Sequence, residues 1–263
     1  MSEQAAPPPL LFEVVENHIA VLRLNRPQVR NAVNIDLAQA MAEAVGRVER
    51  DPALRVVVLM SSNPGMFCAG ADLSVVAAGR VTELRPGDNG FAGLVDALRD
   101  KPWIAAVDGP ALGGGFEICL ACDMIVASPE SRFGLPEVKR GLIAAAGGVH
   151  RAVRVLPRNL ALEMVATGEP MDAATAYAHG MINRIAPAEE VFATALGLAR
   201  LIVANAPVSV AESLRLARMA GDRSDTEMRR LSREAMTRVM ATADAQEGPR
   251  AFKERRPPNW QGR

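Results

Sequence analysis

The chain has 263 residues, 49% of them apolar and 23% charged, an ordinary globular balance in one large domain or a domain plus a lobe. Its 30 basic and 30 acidic side chains cancel. That argues against nucleic acid as the main partner, because such binding rests on neutralising phosphates, and no apolar run approaches membrane-spanning length.

Residues 1–10 begin Met1-Ser2-Glu3-Gln4-Ala5-Ala6-Pro7-Pro8-Pro9. With no basic start and no apolar signal core, they read as a disordered leader, and the cytoplasm is the expected compartment. Ile19–Leu24 reads as a strand ended by Asn25-Arg26-Pro27. Asp36 is expected to cap a helix carrying Leu37, Ala40, Met41, Ala44, Val45 and Val48 at helical spacing, stopped by Asp51-Pro52. A strand follows at Val56–Met60, and residues 79–90, rich in Gly, Pro, Arg and Asp, read as a mobile loop. Ile104–Val107 and Met124–Ala127 read as short strands with a helix between them. Helices are expected at Asn159–Thr167 and Ala173–Gly180, and from Val191 onward with a break at Pro207. The alternation implies an α/β core over residues 11–195 and a helical region over 196–263. Pattern alone is compatible with a doubly wound sheet, and no sequence repeat is visible.

The chemistry concentrates in Gly113-Gly114-Gly115-Phe116-Glu117 and, twenty residues later, Pro136-Glu137. Glycines let a backbone approach a ligand closely. A helix starting there would favour negative charge at its free N–H groups. Two carboxylates nearby would supply the acid/base pair that water addition needs. A second segment, Phe67-Cys68-Ala69-Gly70-Ala71-Asp72-Leu73, follows an apolar strand. No G-x-G-x-x-G, G-x-S-x-G or H-E-x-x-H pattern is present. Cys68, Cys119 and Cys122 fit a reducing compartment. The Cys119-x-x-Cys122 pair lacks the second pair a structural zinc site needs, so these read as buried, inert cysteines. His150 and His179 read as structural.

At these residues the chain resembles the crotonase superfamily, the enoyl-CoA hydratases and isomerases. The likeness runs from Leu22-Arg23-Leu24-Asn25-Arg26-Pro27 through Ile104–Leu112, Phe133-Gly134-Leu135-Pro136-Glu137 and Ala146-Gly147-Gly148 to the tail Glu247–Arg256. It implies an α/β fold, the crotonase (ClpP-like) spiral of ββα units, with a C-terminal helical oligomerisation lobe that makes trimers and often hexamers. It implies an oxyanion hole from the Ala71 and Gly114 N–H groups. Glu117 is expected to act as base toward water and Glu137 to deliver a proton to the α-carbon. Arg30, Ala32, Ala69 and Leu73 are expected to line the coenzyme A channel, with Asp72 capping or anchoring the oxyanion turn and Gly113 and Pro136 completing the binding surface. Phe252 and Arg255 match positions that reach the nucleotide of a neighbouring subunit. The implied activity is hydration of a trans-2-enoyl-CoA, with no metal or redox cofactor, coenzyme A being part of the substrate. An isomerase or a carnitinyl-CoA-type dehydratase is the alternative, and a non-catalytic acyl-CoA binder the third reading. One departure stands out. Ala144-Ala145 precede Ala146-Gly147-Gly148 where hydratases often carry Pro-Gly, which together with Leu135 and Val138 bears on substrate choice.

Overall fold

In the computed structural model, which describes residues 7–263, the chain winds through successive turns of one pattern: a strand, a short second strand, a helix. The hairpin of β1 (Leu10–Val15) and β2 (Ile19–Leu24) leads past Val33 into α1 (Ile35–Arg50). The strand β3 (Val56–Ser61) leads through Cys68 and Ala71 into α2 (Leu73–Ala77). In the third turn β4 (Trp103–Val107) leads through β5 (Pro110–Leu112) into α3 (Gly114–Ala121). In the fourth, β6 (Met124–Ala127) leads through β7 (Arg132–Gly134) to α4 (Gly148–Val155) and α5 (Arg158–Thr167). The winding closes with β8 (Met171–Asp172), α6 (Ala173–Ala178) and β9 (Arg184–Ile185). The tail is α7 (Val191–Val203), α8 (Pro207–Met219), α9 (Asp225–Met240) and α10 (Ala243–Glu254).

First strands stack into a six-stranded sheet, β1-β2-β3-β4-β6-β9, parallel after the opening hairpin. Second strands stack into a smaller layer, β5-β7-β8, which parallel bridges from Cys68 to Ala111 and from Val33 to Ala71 extend back to the earlier turns. The repeat is geometric. Each turn needs only an apolar strand, a bend and a helix start, so it leaves no repeat in the sequence.

Both faces of the large sheet are covered, so its strands read as continuous apolar runs. Leu22, Leu59, Ala105 and Ile125 are neighbours across the sheet and share a core with Leu37, Met41, Phe116 and Ile118. The opposite face, with Val21, Val58 and Ile104, packs on Val191, Ala195 and Ala199 of α7. Fully burying one such side chain is worth roughly 1.5–3 kcal/mol.

Several expectations change. The first helix is capped by Asn34, whose side chain accepts from the Leu37 N–H at 3.0 Å, while Asp36 lies inside the first turn. Of the leader expected over residues 1–10, residues 1–6 lie outside the described residues. Leu10 opens β1, and the Pro8 and Pro9 carbonyls accept from Asn25. The boundary expected at 195/196 falls inside α7, because that helix buries its apolar face on the sheet. Residues 79–90 form short 3-10 turns at Val81–Leu84 and Gly87–Asn89, with Leu84 buried. The strands β5, β7, β8 and β9 are two or three residues long, too short to show a period in sequence. Among the described residues no single helix is long and apolar enough to cross a membrane.

Candidate active site

Stacking of adjacent turns brings Ala71 and Gly114 together. Each sits where a second-layer segment bends into a helix. The two segments are locked by the Cys68 and Leu112 N–H groups, which donate to Pro110 and Cys68 carbonyls at 3.2 and 3.0 Å. A Cβ on Gly114 would lie 3.4 Å from the Ala71 nitrogen, and a Cβ on Gly70 would lie 3.0 Å from the Gly114 nitrogen. Among the described residues neither N–H donates to a carbonyl. Gly114 opens α3, so its N–H is one of the donors a helix start leaves over. The three glycines answer three neighbours. Gly113 has φ 55, and a Cβ there would stand 2.8 Å from Glu137 Oε1. A Cβ on Gly114 would strike the Phe91 ring at 2.5 Å, and one on Gly115 would strike the Cys68 carbonyl oxygen at 2.2 Å.

Glu117 follows in the same helix and is only 4% exposed. Its Oε1 accepts from the Ala146 and Gly148 N–H groups at 2.7 and 2.8 Å. Gly148 allows this approach, since a Cβ there would lie 3.0 Å from Glu117 Cγ. Glu137 stands on the 3-10 turn Pro136–Arg140, which Pro136 opens with its fixed φ. Its Oε1 lies over Gly113, and its Oε2 is buried without a partner among the described residues. Burial, reinforced by the nearby Glu137 charge, pushes the Glu117 carboxyl up to about 7 against the N–H groups of Gly148 and Ala146. Burial likewise raises Glu137, opposed by its own N–H and by Arg140. One carboxyl is thus cradled as an anion, and the other holds an idle oxygen. Such a pair can hand one proton back and forth beside two free N–H donors.

The remaining expected residues fall into two places. Asp72 caps α2, accepting from Ser74 N and Oγ at 3.1 and 2.7 Å, and pairs with Arg26 at 3.1 Å. Its carboxyl is slightly desolvated, yet these partners hold it below the usual carboxylate range. The Arg30 carbonyl accepts from the Ala69 N–H at 3.0 Å, and the Ala32 carbonyl accepts from Arg26. Arg30, Ala69 and Leu73 are exposed around that junction. Phe252 and Arg255 are elsewhere, at the end of α10, which packs on α9. Phe252 is 88% exposed, and Arg255 takes the left-handed cap position at φ 54. Within one chain they do not join the glutamates. Burial pushes the Cys68 and Cys122 thiols up to about 12, and raises Cys119 as well, so all three stay protonated.

Three further residues organise the site: Asn31, matched in sequence only as part of the Arg30-Asn31-Ala32 channel segment, and Phe91 and Arg151, for which the sequence offered no reading. Asn31 is fully buried at φ 55 and ties Arg26 N, Ser61 Oγ and the Phe67 carbonyl at 2.8, 2.7 and 2.9 Å. Phe91 lies against Gly114, on a turn where Gly90, Ala92 and Gly93 all have positive φ (69, 56 and 67). Arg151 donates to the Ala146 carbonyl at 3.0 Å and the Val95 carbonyl at 2.6 Å. Only Asn31, inside the Arg30-Asn31-Ala32 segment, left a signal that could have been followed.

Comparison with known proteins agrees with this architecture. A family model described as enoyl-CoA hydratase/isomerase matches residues 15–263. A carnitinyl-CoA dehydratase of Proteus mirabilis (strain HI4320) is 39% identical over 91% of this chain and 94% of its own length. The crystal structure of an enoyl-CoA hydratase from Mycobacterium tuberculosis H37Rv superposes with a TM-score of 0.92 at 36% identity, covering 98% of this chain and 100% of that one. A carnitinyl-CoA hydratase structure from Mycobacterium avium is 43% identical with a TM-score of 0.76, covering 98% of this chain and 100% of that one. With its winding in two strand layers and its family match over nearly the whole length, the chain belongs to the enoyl-CoA hydratase/isomerase family.

Proposed function

We propose that the protein reversibly adds water to a trans-2-enoyl-CoA, giving a 3-hydroxyacyl-CoA. The observation that carries this is the buried carboxyl of Glu117 and the half-buried Glu137, whose Oε2 is itself buried, beside the N–H groups of Ala71 and Gly114, unpartnered among the described residues. The thioester oxygen accepts from those two N–H groups, which bear the negative charge that develops as the enolate forms. One such donor is worth roughly 3–4 kcal/mol. Glu117, its Oε1 held by two backbone donors, takes a proton from water as the oxygen bonds to C3. Glu137, with its unpartnered Oε2, gives a proton to C2, and proton exchange with solvent resets the pair. General acid/base groups and N–H donors suffice for this chemistry, and coenzyme A enters only as part of the substrate. Arg30, Ala32, Ala69, Asp72, Leu73, Gly113 and Pro136 border its path.

The same pair run in reverse on carnitinyl-CoA is the second reading. It is favoured by the 39% and 43% identities to a carnitinyl-CoA dehydratase and a carnitinyl-CoA hydratase. We further infer a homotrimer or a dimer of trimers. Supporting this, Met236, Met240 and Phe252 stand 60%, 63% and 88% exposed on the C-terminal helices. Phe252 and Arg255 would then face a neighbour's nucleotide. The three free thiols suit a reducing compartment, the cytoplasm.

The test is the loss of the enoyl thioester absorbance with crotonyl-CoA, run beside dehydration of carnitinyl-CoA. Glu137→Gln is isosteric and should cost about 10²–10⁴-fold in kcat with coenzyme A thioester binding kept. A variant within about threefold of the parent would remove Glu137 from the chemistry.

A further inference from the structure

Among the described residues Arg151 hydrogen-bonds to neither glutamate, yet it joins the two walls of the site. Its side chain folds back over the start of its own helix, so closely that a Cβ on Gly147 would lie 2.1 Å from Arg151 Nη1. Nη1 donates to the Ala146 carbonyl at 3.0 Å. Nη2 donates to the Val95 carbonyl at 2.6 Å and reaches Asp96 Oδ1 at 3.5 Å. Ala146 and Gly148 are the residues whose N–H groups hold Glu117. Asp96 closes the turn that carries Phe91, its N–H donating to the Asn89 carbonyl at 2.9 Å. That turn takes positive φ at Gly90, Ala92 and Gly93, which costs the two glycines little and strains only Ala92, and it sets the Phe91 ring on Gly114.

We propose that Arg151 is a positioning residue for the acid/base pair: its guanidinium locks the 144–148 turn that cradles Glu117 to the 89–96 turn that borders Gly114. This rests on the assignment of Glu117 as the base. The physical reason is that a main-chain donor pair can hold a carboxylate only if its own peptides are fixed, and residues 142–147 have no helix or strand to fix them. An arginine suits the task because its planar fork spans several acceptors at once. Its charge acts as well. The charged groups that face Glu117 are Glu137 from the 136–140 turn and Arg151 from α4. Asp96 lies beyond Arg151, Arg140 lies beyond Glu137, and His150 sits next to Arg151 on α4. Arg151 opposes the upward push that burial and Glu137 exert on the Glu117 carboxyl.

The test is the pH profile of crotonyl-CoA hydration by the full chain, compared for parent, Arg151→Gln, Arg151→Lys and Glu117→Gln. Misplacing the base should cost Arg151→Gln about 10- to 100-fold in kcat with KM within about twofold. Loss of the opposing charge should move the acid limb of kcat to higher pH by about half a unit or more. Arg151→Lys keeps the charge without the fork, so its acid limb should stay at the parent position while kcat is only partly restored. If Arg151→Gln does not fold, the lysine variant alone decides, because full parental kcat there would show that the fork positions nothing. An acid limb unmoved in Arg151→Gln, with activity falling only as far as Tm falls, would overturn the proposal and leave Arg151 a stability residue. Glu117→Gln separates this from failure of the underlying reading. If it is inactive while the arginine variants behave as the parent, only the role of Arg151 falls. If Glu117→Gln itself hydrates normally, the base assignment falls, and the positioning role with it.

Discussion

On the proposed reading, Glu117 acts as a base in surroundings that resist its charge. Two backbone N–H groups stabilise the anion, while burial and Glu137 disfavour it, and the balance leaves the carboxyl near neutrality at about 7. A base poised there is half-ionised at working pH, the range in which proton transfer in both directions is efficient. Hydration should therefore lose its base as pH falls below about 7, seen as the acid limb of kcat/KM. The same shift has a cost in stability. The folded carboxyl stands above its ordinary 4.5, so between 4.5 and about 7 the folded state keeps a proton that the unfolded chain has released. Stability from this group is thus full below 4.5 and declines as pH rises through that window, by at most about 3 kcal/mol. Glu117→Gln should accordingly be inactive yet melt a few degrees higher than the parent at pH 8, with the difference vanishing near pH 4. An equal Tm for both proteins across that range would show that the carboxyl is not strained in the folded state.

The start of α3 is the element on which the site depends. Its first residues lie so close to the neighbouring turn that side chains are excluded, which turns three positions into glycine for three different neighbours: Glu137, Phe91 and the Cys68 carbonyl. The position furthest from the reacting atoms is the most informative. At Gly115 an added Cβ would lie 2.2 Å from a backbone oxygen, which cannot rotate away as a side chain could. Gly115→Ala should therefore push α3 off the adjacent turn, costing about 1–3 kcal/mol by overpacking and widening the gap between the Ala71 and Gly114 donors. The expected outcome is a fall in both Tm and kcat from a residue that meets no substrate, read by thermal unfolding beside the crotonyl-CoA assay. Unchanged kcat with a lowered Tm would show that the donor pair tolerates the movement.

At the scale of the whole molecule, carboxylates of α10 fold the last residues of the chain back onto that helix. Asp244 accepts the Gln261 and Gly262 N–H groups at 2.7 and 2.9 Å, and Trp260 Nε1 donates to the Ala204 carbonyl at 2.7 Å. Glu247 gathers Arg256, Arg250 and the Asn259 N–H, and the Arg256 guanidinium foremost holds its carboxyl well below the usual range. A depressed carboxyl stabilises above its unfolded value and loses that stabilisation as pH falls toward its folded one. The Glu247–Arg256 segment thus divides its labour: buried Glu247 and half-buried Arg256 hold the chain end against α10, leaving Phe252 and Arg255 exposed. Glu247→Gln should release the last residues from α10 at neutral pH, giving faster tryptic cleavage within 250–256 and, for the proposed trimer, a shift toward smaller species in sedimentation. If the proposed trimer forms with the tail cleaved, it does not depend on the end of α10.

What the sequence determined by itself are features written in neighbouring residues. The apolar runs at 19–24, 56–60, 104–107 and 124–127 were legible as strands because they are of strand length, mostly rich in Val and Ile, and suit a sheet covered on both faces. The triple glycine with Glu117, and Pro136-Glu137, were legible because close approach and buried charge demand unusual residue types at fixed spacing. The resemblance implied a spiral of ββα units, but only the tertiary structure decided where its second strands lie and what joins them. The second strand layer is built from segments of two or three residues and single bridges, held by stacking rather than by any periodicity. Asn34 in place of Asp36 as the first cap turned on one hydrogen bond, and the end of the core at α7 turned on which face that helix buried. Phe91 and Arg151 act on the site through contacts between parts of the chain far apart in sequence, Arg151 reaching a carbonyl 56 residues away. A contact of that kind places no demand on the residues beside it, and so leaves nothing for a local pattern to record.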